Sequence, residues 1–369
     1  MSALQVYPIQ CLTVQATPFC NLDCKYCYLP YRTQKDRFDI ELIAHIFSNI
    51  TQSNLLSDSL YWDWHAGEPL VPGLEFYKET TRAILKHKPR NLEVNIGMQT
   101  NGTLITDEVA KFFKKKGFRI GVSIDGPEDI HNHNRVYRNK KGSFRDCLNG
   151  IKMLHKHKVP FHVISVLSKN SLSHPEEMYN FYLNLGTTGV AFNIEEVEGI
   201  HSSSTVNNDE TGELFENFFH TFFEKHLEND EPFQIREWNK FVSQKRLNQV
   251  NGTTVPFAHL TIDTNGNFST FSPELITIEN HKRHPGFIFG NIKDELIIDC
   301  LNKPHFREIY HEIKSGVSLC KKTCSYFRSC GGGMVSNKLF ENGSFNSSTT
   351  MACRYMEQKL CDIARGIAI

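Results

Sequence analysis

The chain has 369 residues, with 41 Lys and Arg residues, 41 Asp and Glu residues and no net formal charge. This length predicts more than one domain with a large core, and the balanced charge argues against nucleic acid as a partner. No apolar run approaches the roughly 20 residues of a membrane span, and the first residues lack the regions of a signal peptide. We therefore expect a cytoplasmic protein with no membrane partner, whose eleven cysteines are mostly metal-bound thiols.

Short β-rich runs alternate with amphipathic stretches over the first half of the chain. The predicted strands cover residues 11–15, 60–64, 92–98, 119–123, 161–166 and 190–194. The predicted helices between them cover residues 40–50, 74–86, 107–115, 143–157 and 174–185. Six such β/α repeats predict a parallel sheet with helices outside it. Polar motifs follow several strands directly, and the carboxyl ends of the strands form the catalytic face of β/α barrels.

The pattern changes after Gly199. Residues 201–209 are polar, as in a linker, and residues 213–227 form an amphipathic helix rich in Phe. Residues 258–270 predict a β-hairpin with its turn at Asn265-Gly266. A second cysteine-rich region follows at residues 320–353, and residues 351–363 predict a closing helix.

Three cysteines form a compact motif after the first predicted strand. Cys20, Cys24 and Cys27 have C-x3-C-x2-C spacing, and Tyr26 precedes the last of them. Three thiolates leave one iron of a four-iron cluster open to a small molecule. The string resembles the signature of the radical S-adenosylmethionine (SAM) enzymes. A zinc site is the alternative, but it requires a fourth ligand at close spacing, and the nearest histidine, His45, lies within a predicted helix.

The resemblance implies both a fold and a chemistry. The fold is a partial (β/α)6 barrel of the TIM type, in which a [4Fe–4S] cluster binds SAM. One electron from the cluster then cleaves SAM to methionine and a 5′-deoxyadenosyl radical, which abstracts a hydrogen atom from the substrate. The cofactors supply this chemistry and the protein directs it.

Further strings resemble the SAM-binding motifs of the same family. His65-Ala66-Gly67-Glu68 follows the second strand and resembles a Gly-Gly-Glu-Pro motif whose backbone holds the SAM amino group. Ala66 replaces the first glycine, so the local backbone must accommodate a Cβ atom. The family resemblance implies that His65 points toward the cofactor.

The next motifs follow the third and fourth strands. The resemblance places Tyr26, Asn101 and Asp125 in the SAM shell, and implies that Ser123 binds the methionine moiety of SAM. It also implies that Arg135 pairs with the SAM carboxylate, for which a planar guanidinium is suited. Taken singly, such polar residues are more often found in turns and caps, but the ordered set after the cysteine motif favours a SAM site.

The second cysteine region resembles the C-terminal SPASM domain of radical SAM peptide maturases. The ligands that correspond to its outer cluster are Cys320, Cys324, Cys330 and Cys353, with one extra residue in the first gap. Four thiolates complete a closed [4Fe–4S] cluster or an all-cysteine zinc site. Cys361 is the rival for the fourth position.

One auxiliary cluster is expected rather than two. Met334 and the string Phe271-Ser272-Pro273 occupy the places of the inner-cluster cysteines. The predicted organisation is therefore an α/β radical SAM barrel at residues 1–200, a linker with helices and a hairpin at 201–280, and a SPASM-like iron–sulfur domain at 281–369. Cys11, Cys147, Cys300 and Cys361 are interpreted as buried thiols.

Several strings in the second half of the chain resemble the maturases of the GRRM and XYE peptide systems, which form cyclophanes. They include Ser272-Pro273-Glu274-Leu275 and residues 193–199 and 289–292. The resemblance implies a ribosomal precursor peptide as substrate, Cβ hydrogen abstraction, and a carbon–carbon bond to an aromatic ring. It also implies a one-electron reductant such as flavodoxin or ferredoxin.

Loss of a ring proton in such a reaction requires a base. The candidates are Glu195, Glu196 and Glu274. These carboxylates could instead bind linker backbone or solvent.

Three other functions remain open from the sequence. An anaerobic sulfatase maturase, which oxidises Cys or Ser to formylglycine, carries a Cys-Asp pair in the hairpin region, and Ser272-Pro273 stands there, so its base is expected to be missing. Thioether formation is a second alternative. A non-catalytic iron–sulfur scaffold that binds a peptide is a third, but it should lose Glu68, Ser123 or Arg135, and all three are present.

Overall fold

Six parallel strands, each followed by helical structure, form the first half of the protein. The computed structural model describes residues 6–206, 209–242, 250–279 and 281–367. The strands are β1 (Cys11–Val14), β2 (Ser59–Trp64), β3 (Glu93–Thr100), β4 (Arg119–Ser123), β5 (Phe161–Leu167) and β6 (Gly189–Ile194). The helices are α1 (Leu42–Gln52), α2 (Leu74–His87), α3 (Asp107–Lys116), α4 (Glu128–Asn134), α5 (Phe144–Lys156), α6 (Lys169–Leu172) and α7 (Pro175–Leu185). Each strand pairs in parallel with the next, which confirms the predicted α/β fold.

The sheet extends beyond these six strands at both edges. After α8 (Asp209–Glu228), β7 (Gln234–Ile235) pairs with β6 and leads into α9 (Arg236–Val242). At the other edge β8 (His259–Ile262) pairs in parallel with β1, followed by β9 (Asn267–Thr270) and β10 (Gly290–Asn291). The hairpin predicted within the linker therefore belongs to the barrel sheet, because it satisfies the free backbone groups of the β1 edge.

The side chains on the outer and inner faces of the barrel strands have different roles. Trp62 and Trp64 of β2 are fully buried under the outer helices, and the Trp64 ring lies 5.6 Å from the rings of Phe76 and Tyr77 in α2. Asp63, between the two tryptophans, faces the opposite way, toward the barrel interior. The outer face thus forms the apolar core, and the inner face is left for polar side chains.

The Phe-rich stretch forms α8 and packs on β6. Its phenylalanines recur every three or four residues, so they share one face of the helix. Phe192 of β6 lies 5.0–5.6 Å from three of these rings. The buried members are Phe215, Phe218, Phe219, Phe222 and Phe223.

The C-terminal region is helical and carries the second set of cysteines. It comprises α10 (Pro304–Thr323), α11 (Phe327–Cys330), α12 (Val335–Asn342), α13 (Met351–Cys353) and α14 (Leu360–Ile367). The predicted closing helix is interrupted by a π-helical segment, Arg354–Lys359, a feature often found at functional sites. The predicted boundary at residue 280 and residues 207–208 of the predicted linker lie outside the described residues. None of the described helices is both long and apolar enough to cross a membrane.

Candidate cofactor and catalytic site

The first cysteine motif lies in the loop after β1 and is held by backbone contacts. The amide of Asp23 donates to the Val136 carbonyl at 2.7 Å, and that of Lys25 donates to the Asn134 carbonyl at 3.1 Å. Burial raises the pKa of the Cys24 thiol to about 12, so bound metal is needed to keep it as a thiolate near neutral pH. Three soft sulfur donors on a pinned loop fit an iron–sulfur cluster with one open iron.

The two residues that precede Glu68 have left-handed backbone conformations. Ala66 has φ +69° and Gly67 has φ +64°, so the predicted accommodation of a Cβ at position 66 occurs in a region that L-residues rarely enter. A Cβ on Gly67 would lie 2.2 Å from the Thr17 carbonyl oxygen and 2.8 Å from that of Phe19. The motif therefore packs its backbone directly against the segment that leads into Cys20.

Glu68 connects two strand ends rather than pointing freely into the site. Its carboxylate accepts hydrogen bonds from the Thr100 hydroxyl at 2.6 Å, the Asn101 amide at 2.8 Å and the Leu70 amide at 3.0 Å. The side chain is only 1% exposed. With three protein donors already bound, Glu68 acts as a positioning residue for the loops after β2 and β3.

Tyr26, Asp125 and Arg135 form a buried network next to the cysteine loop. Arg135 Nε lies 3.0 Å from Asp125 Oδ2, the Tyr26 hydroxyl donates to the same carboxylate, and the Val166 amide donates to Oδ1 at 3.0 Å. The guanidinium carbon also lies 5.4 Å from the Tyr26 ring centroid. Only one edge of the guanidinium is engaged by Asp125, and its other donors are suited to an anionic ligand.

Ser123 and His65 border a polar barrel interior. The Ser123 hydroxyl accepts a hydrogen bond from Gln99 at 2.8 Å. Desolvation raises the pKa of the half-buried Asp63, and the nearby His65 partly offsets this rise. Burial lowers the pKa of His259 to about 4, and its Nε2 lies 2.8 Å from the Thr13 hydroxyl. Because side chains alternate between the two faces of a strand, the sequences of β1, β2 and β3 could have identified Thr13, Asp63 and Gln99 as residues of the barrel interior. His259 could not be found in this way, because its position depends on the pairing of β8 with β1.

The structure brings four of the C-terminal cysteines around one small cavity. Its lining includes Cys320, Cys324, Cys330 and Cys353, and excludes Cys361. The buried Lys338 donates to Cys320 Sγ at 3.3 Å, and the Gly332 amide donates to Cys330 Sγ at 3.4 Å. Hydrogen bonds to sulfur are typical around iron–sulfur clusters. Among the described residues, no three His, Cys, Asp or Glu side chains are grouped as ligands of a single metal ion.

Acidic side chains converge beyond the end of β6. Glu196, Glu198, Glu274 and Glu341, which we term the carboxylate cluster, interact electrostatically. Burial, together with Glu274 and Glu341, raises the pKa of Glu196 to about 7. Burial and Glu274 raise the pKa of Glu198 well above its usual value. Glu196 and Glu274 were predicted candidates, whereas Glu198 and Glu341 become visible only in the fold.

Glu195 does not join the carboxylate cluster. Its carboxylate accepts from the Thr205 amide at 2.9 Å and from the Thr205 hydroxyl, and lies 3.2 Å from His201 Nε2. The structure thus separates Glu195 from the other predicted candidate bases, because its side chain holds the segment that follows β6. Glu195 and Glu196 are neighbours in the chain just after β6, but their side chains interact with different partners.

Comparison with known proteins assigns the chain to a family. Residues 14–182 match the family model described as the radical SAM superfamily. These residues form a radical SAM domain. It is 37% identical to an uncharacterized protein of Synechocystis sp. over 97% of this chain and 92% of that protein. It is also 26% identical to a cysteine-type anaerobic sulfatase-maturating enzyme of Clostridium perfringens, over 88% of each chain.

Solved structures show the same fold. The radical SAM enzyme described here matches anSMEcpe with bound AdoMet at a TM-score of 0.80 and 22% identity, over 98% of this chain and 94% of that one. Streptococcus suis SuiB bound to the precursor peptide SuiA matches at a TM-score of 0.64 and 14% identity, over 95% and 76% of the two chains.

SAM and a [4Fe–4S] cluster are the cofactors of this radical SAM enzyme. The donor set of Cys20, Cys24 and Cys27 fits that cluster. The Asp125–Arg135 pair and Ser123 remain the predicted SAM contacts, on the side of the barrel where the cysteine loop lies.

The choice between Cys353 and Cys361 can be tested by iron content. Because Cys353 lines the cavity and Cys361 does not, we expect Cys353→Ala to lower iron content by up to about four atoms per chain. Cys361→Ala, the matched control, should retain the iron of the unmodified enzyme. Iron and sulfide analysis of anaerobically purified protein measures both, and equal losses in the two variants would contradict this ligand assignment.

Proposed function

We propose that this radical SAM enzyme oxidises the Cβ of a Cys or Ser residue in a peptide substrate, as a maturase of the sulfatase-maturating type. Support comes from relatives with that name, which match the chain over most of its length, and from anSMEcpe, whose structure has been solved with a bound peptide. The carboxylate cluster carries the proposal, because it provides a base of suitable pKa near the carboxyl end of β6. The relatives favour this oxidation over the cyclophane cross-link suggested by the subgroup strings.

The expected lack of a base no longer argues against this oxidation. Glu274 lies directly after Ser272-Pro273, accepts a hydrogen bond from the Ser272 hydroxyl, and interacts with Glu196 and Glu198. A carboxylate therefore occupies the region that corresponds to the Cys-Asp pair of sulfatase maturases.

The chain contributes positioning and proton transfer to the reaction. When bound, SAM and the [4Fe–4S] cluster supply the hydrogen-abstracting radical. Glu68 and Gly67 hold the loops around the cofactor site, and Asp125 orients Arg135 toward an anionic ligand. Oxidation of a Ser side chain to an aldehyde removes one hydrogen atom from Cβ, one electron and the hydroxyl proton; the electron would pass to an auxiliary cluster held by the C-terminal cysteines. Glu196 would accept that proton, because a base is most effective when its pKa lies near the working pH.

A cyclophane cross-link is the second candidate and shares the initial hydrogen abstraction. It is favoured by the absence of the inner-cluster cysteines, since an exposed Met334 occupies one of those positions. In this case the proton comes from an aromatic ring, and a bond forms between that ring and Cβ.

Mass spectrometry of modified peptides distinguishes the two candidates. The reduced holoenzyme is incubated with SAM and with peptides that contain Cys, Ser, or an aromatic residue two positions before an aliphatic one. An aldehyde that reacts with a hydrazide probe would support the proposed oxidation. Loss of two hydrogen atoms without an aldehyde, located by fragmentation between a ring and a Cβ, would replace it with the cross-link. Cleavage of SAM while every peptide stays unchanged would count against both.

The pH dependence of peptide oxidation tests the role of Glu196. Its carboxyl has a pKa of about 7, so the base form accumulates as pH rises, and the rate should increase through that range. Glu196→Gln should reduce the single-turnover rate by about 10²–10⁴-fold and remove this rise. Glu195→Gln is the matched control, because Glu195 binds the following segment, and its pH profile should remain that of the unmodified enzyme. An unchanged profile for Glu196→Gln would exclude this base.

A further inference from the structure

A surface groove lies beside the auxiliary cysteines, between α10, α11 and the segment that begins at Val250. Its lining includes Lys314 and Lys321 of α10, Phe327 and Arg328 of α11, and Val250. Val250 is 55% exposed. We call this surface the basic groove.

The charged side chains that line the basic groove in the described part of the protein are all positive. Lys314, Lys321 and Arg328 are exposed, and no Asp or Glu is among the described residues that line the groove. None of the three cations forms an ion pair with any side chain in the described part of the protein. Lys314 and Lys321 are seven residues apart, so two helical turns place them on the same face of α10.

The floor of the basic groove reaches the auxiliary cluster site. Cys324 lines both the groove and the small cavity formed with the other three cysteines. Its side chain is partly exposed. A cluster bound in that cavity would therefore lie directly beneath the groove, separated from a docked partner by its own cysteine ligand.

Stabilisation of α10 does not account for these cations. Lysines in the last turn of a helix interact favourably with the helix dipole, which explains Lys321 and its neighbour Lys322. This effect falls off within one turn, so it does not explain Lys314, whose Nζ lies 5.7 Å from the ring centroid of Tyr310 in the same groove, and Arg328 lies outside α10. A ring of cations around an apolar centre is instead typical of interfaces that recruit an acidic protein.

We propose that the basic groove is the docking site of an acidic one-electron carrier protein of the flavodoxin class, which exchanges an electron with the auxiliary cluster. In this exchange the cluster loses one electron and the carrier gains it, with no bond made or broken. The proposal rests on the auxiliary cluster and peptide oxidation of the proposed function, since oxidation of the peptide leaves an electron to be removed. Charge complementarity selects the partner, and transient electron-transfer interfaces are small enough for such a groove.

Charge reversal in the basic groove tests the proposal through binding rather than activity. The probe is a purified acidic flavodoxin, titrated calorimetrically into the anaerobic holoenzyme at low and at high salt. We expect Lys314→Glu/Lys321→Glu to weaken binding at least about tenfold at low salt, and the difference to shrink at high salt as the charges are screened. The control is Lys115→Glu/Lys116→Glu, which makes the same charge change on exposed residues of α3 that do not line the groove; it should bind within about twofold of the unmodified enzyme.

Iron content separates a docking defect from loss of the cluster. If Lys314→Glu/Lys321→Glu loses iron, the milder Lys314→Gln/Lys321→Gln pair replaces it. Equal binding by the groove and control variants would overturn the proposal, as would the absence of flavodoxin binding by the unmodified enzyme. A loss of affinity for the substrate peptide in place of flavodoxin would also overturn it, by assigning the groove to the peptide. Peptide oxidation driven by a chemical reductant reports separately on the proposed function.

Discussion

Replacement of Asp125 by asparagine is expected to lower the free energy of unfolding by about 3–5 kcal/mol, the typical cost of removing one partner from a buried ion pair. Asp125 is 1% exposed and Arg135 is 7% exposed. Their side chains meet at 3.0 Å, with the Tyr26 hydroxyl on the same carboxylate. The neutral amide would leave the guanidinium buried without a counter-charge, and would replace one acceptor with a donor that faces other donors.

The same substitution should also weaken SAM binding, because Arg135 would lose the contact that orients it. Urea unfolding with unchanged slope, together with SAM affinity of the holoenzyme, measures both effects. Asp107→Asn is the matched control, since Asp107 is paired with Lys156 and His157 on the surface. Exposed ion pairs contribute little to stability, so this variant should unfold and bind SAM as the unmodified enzyme does. Similar unfolding curves for the two variants would refute the assigned role of Asp125.

Replacement of Gly67 by alanine should prevent the cysteine loop from reaching its native position. The added Cβ would lie 2.2 Å from the Thr17 carbonyl oxygen, and backbone atoms cannot move aside as a flexible side chain can. Overpacking costs about 1–3 kcal/mol, and the left-handed backbone adds about 1–2 kcal/mol for a residue with a Cβ. We expect the SAM cluster to be lost or depleted, as measured by iron content and by the visible absorption of the cluster.

Two neighbouring substitutions serve as controls for Gly67. Gly73→Ala has a backbone penalty at least as large, at φ +85° and ψ 169°, but its Cβ meets no atom within 4 Å, so the cluster should be retained. Ala66→Gly removes a side chain from a left-handed residue at φ +69°, and should leave stability unchanged or raise it by up to about 1 kcal/mol. Loss of iron in Gly73→Ala to the same extent as in Gly67→Ala would attribute the effect to backbone strain alone.

The amino-acid sequence by itself determined the features that depend on local spacing. Strand alternation and helical periodicity located β1 to β6 and the longer helices α1, α2, α3, α5 and α7 within a few residues, because those patterns reflect which face of each element is buried. The short helices α4 and α6 were not predicted. The motif of Cys20, Cys24 and Cys27 was equally recognisable, since a loop that binds three irons needs its ligands close together in the chain. The candidate catalytic carboxylates could also be named from the sequence, although their arrangement in space could not.

Only the tertiary structure decided the features that join distant segments. Cys353 and Cys361 are both cysteines of the closing segment, and it is the packing of α10 and α13 that puts Cys353 in the auxiliary cavity. The 20-residue α10 was missing from the predicted elements, and with it the basic groove. Glu195 and Glu196 are adjacent in the sequence, and only the fold, which brings Glu274 near the segment after β6, shows that Glu196 interacts with Glu274. In each case the deciding contacts are between residues far apart in the chain, and such contacts leave no periodic pattern in the sequence.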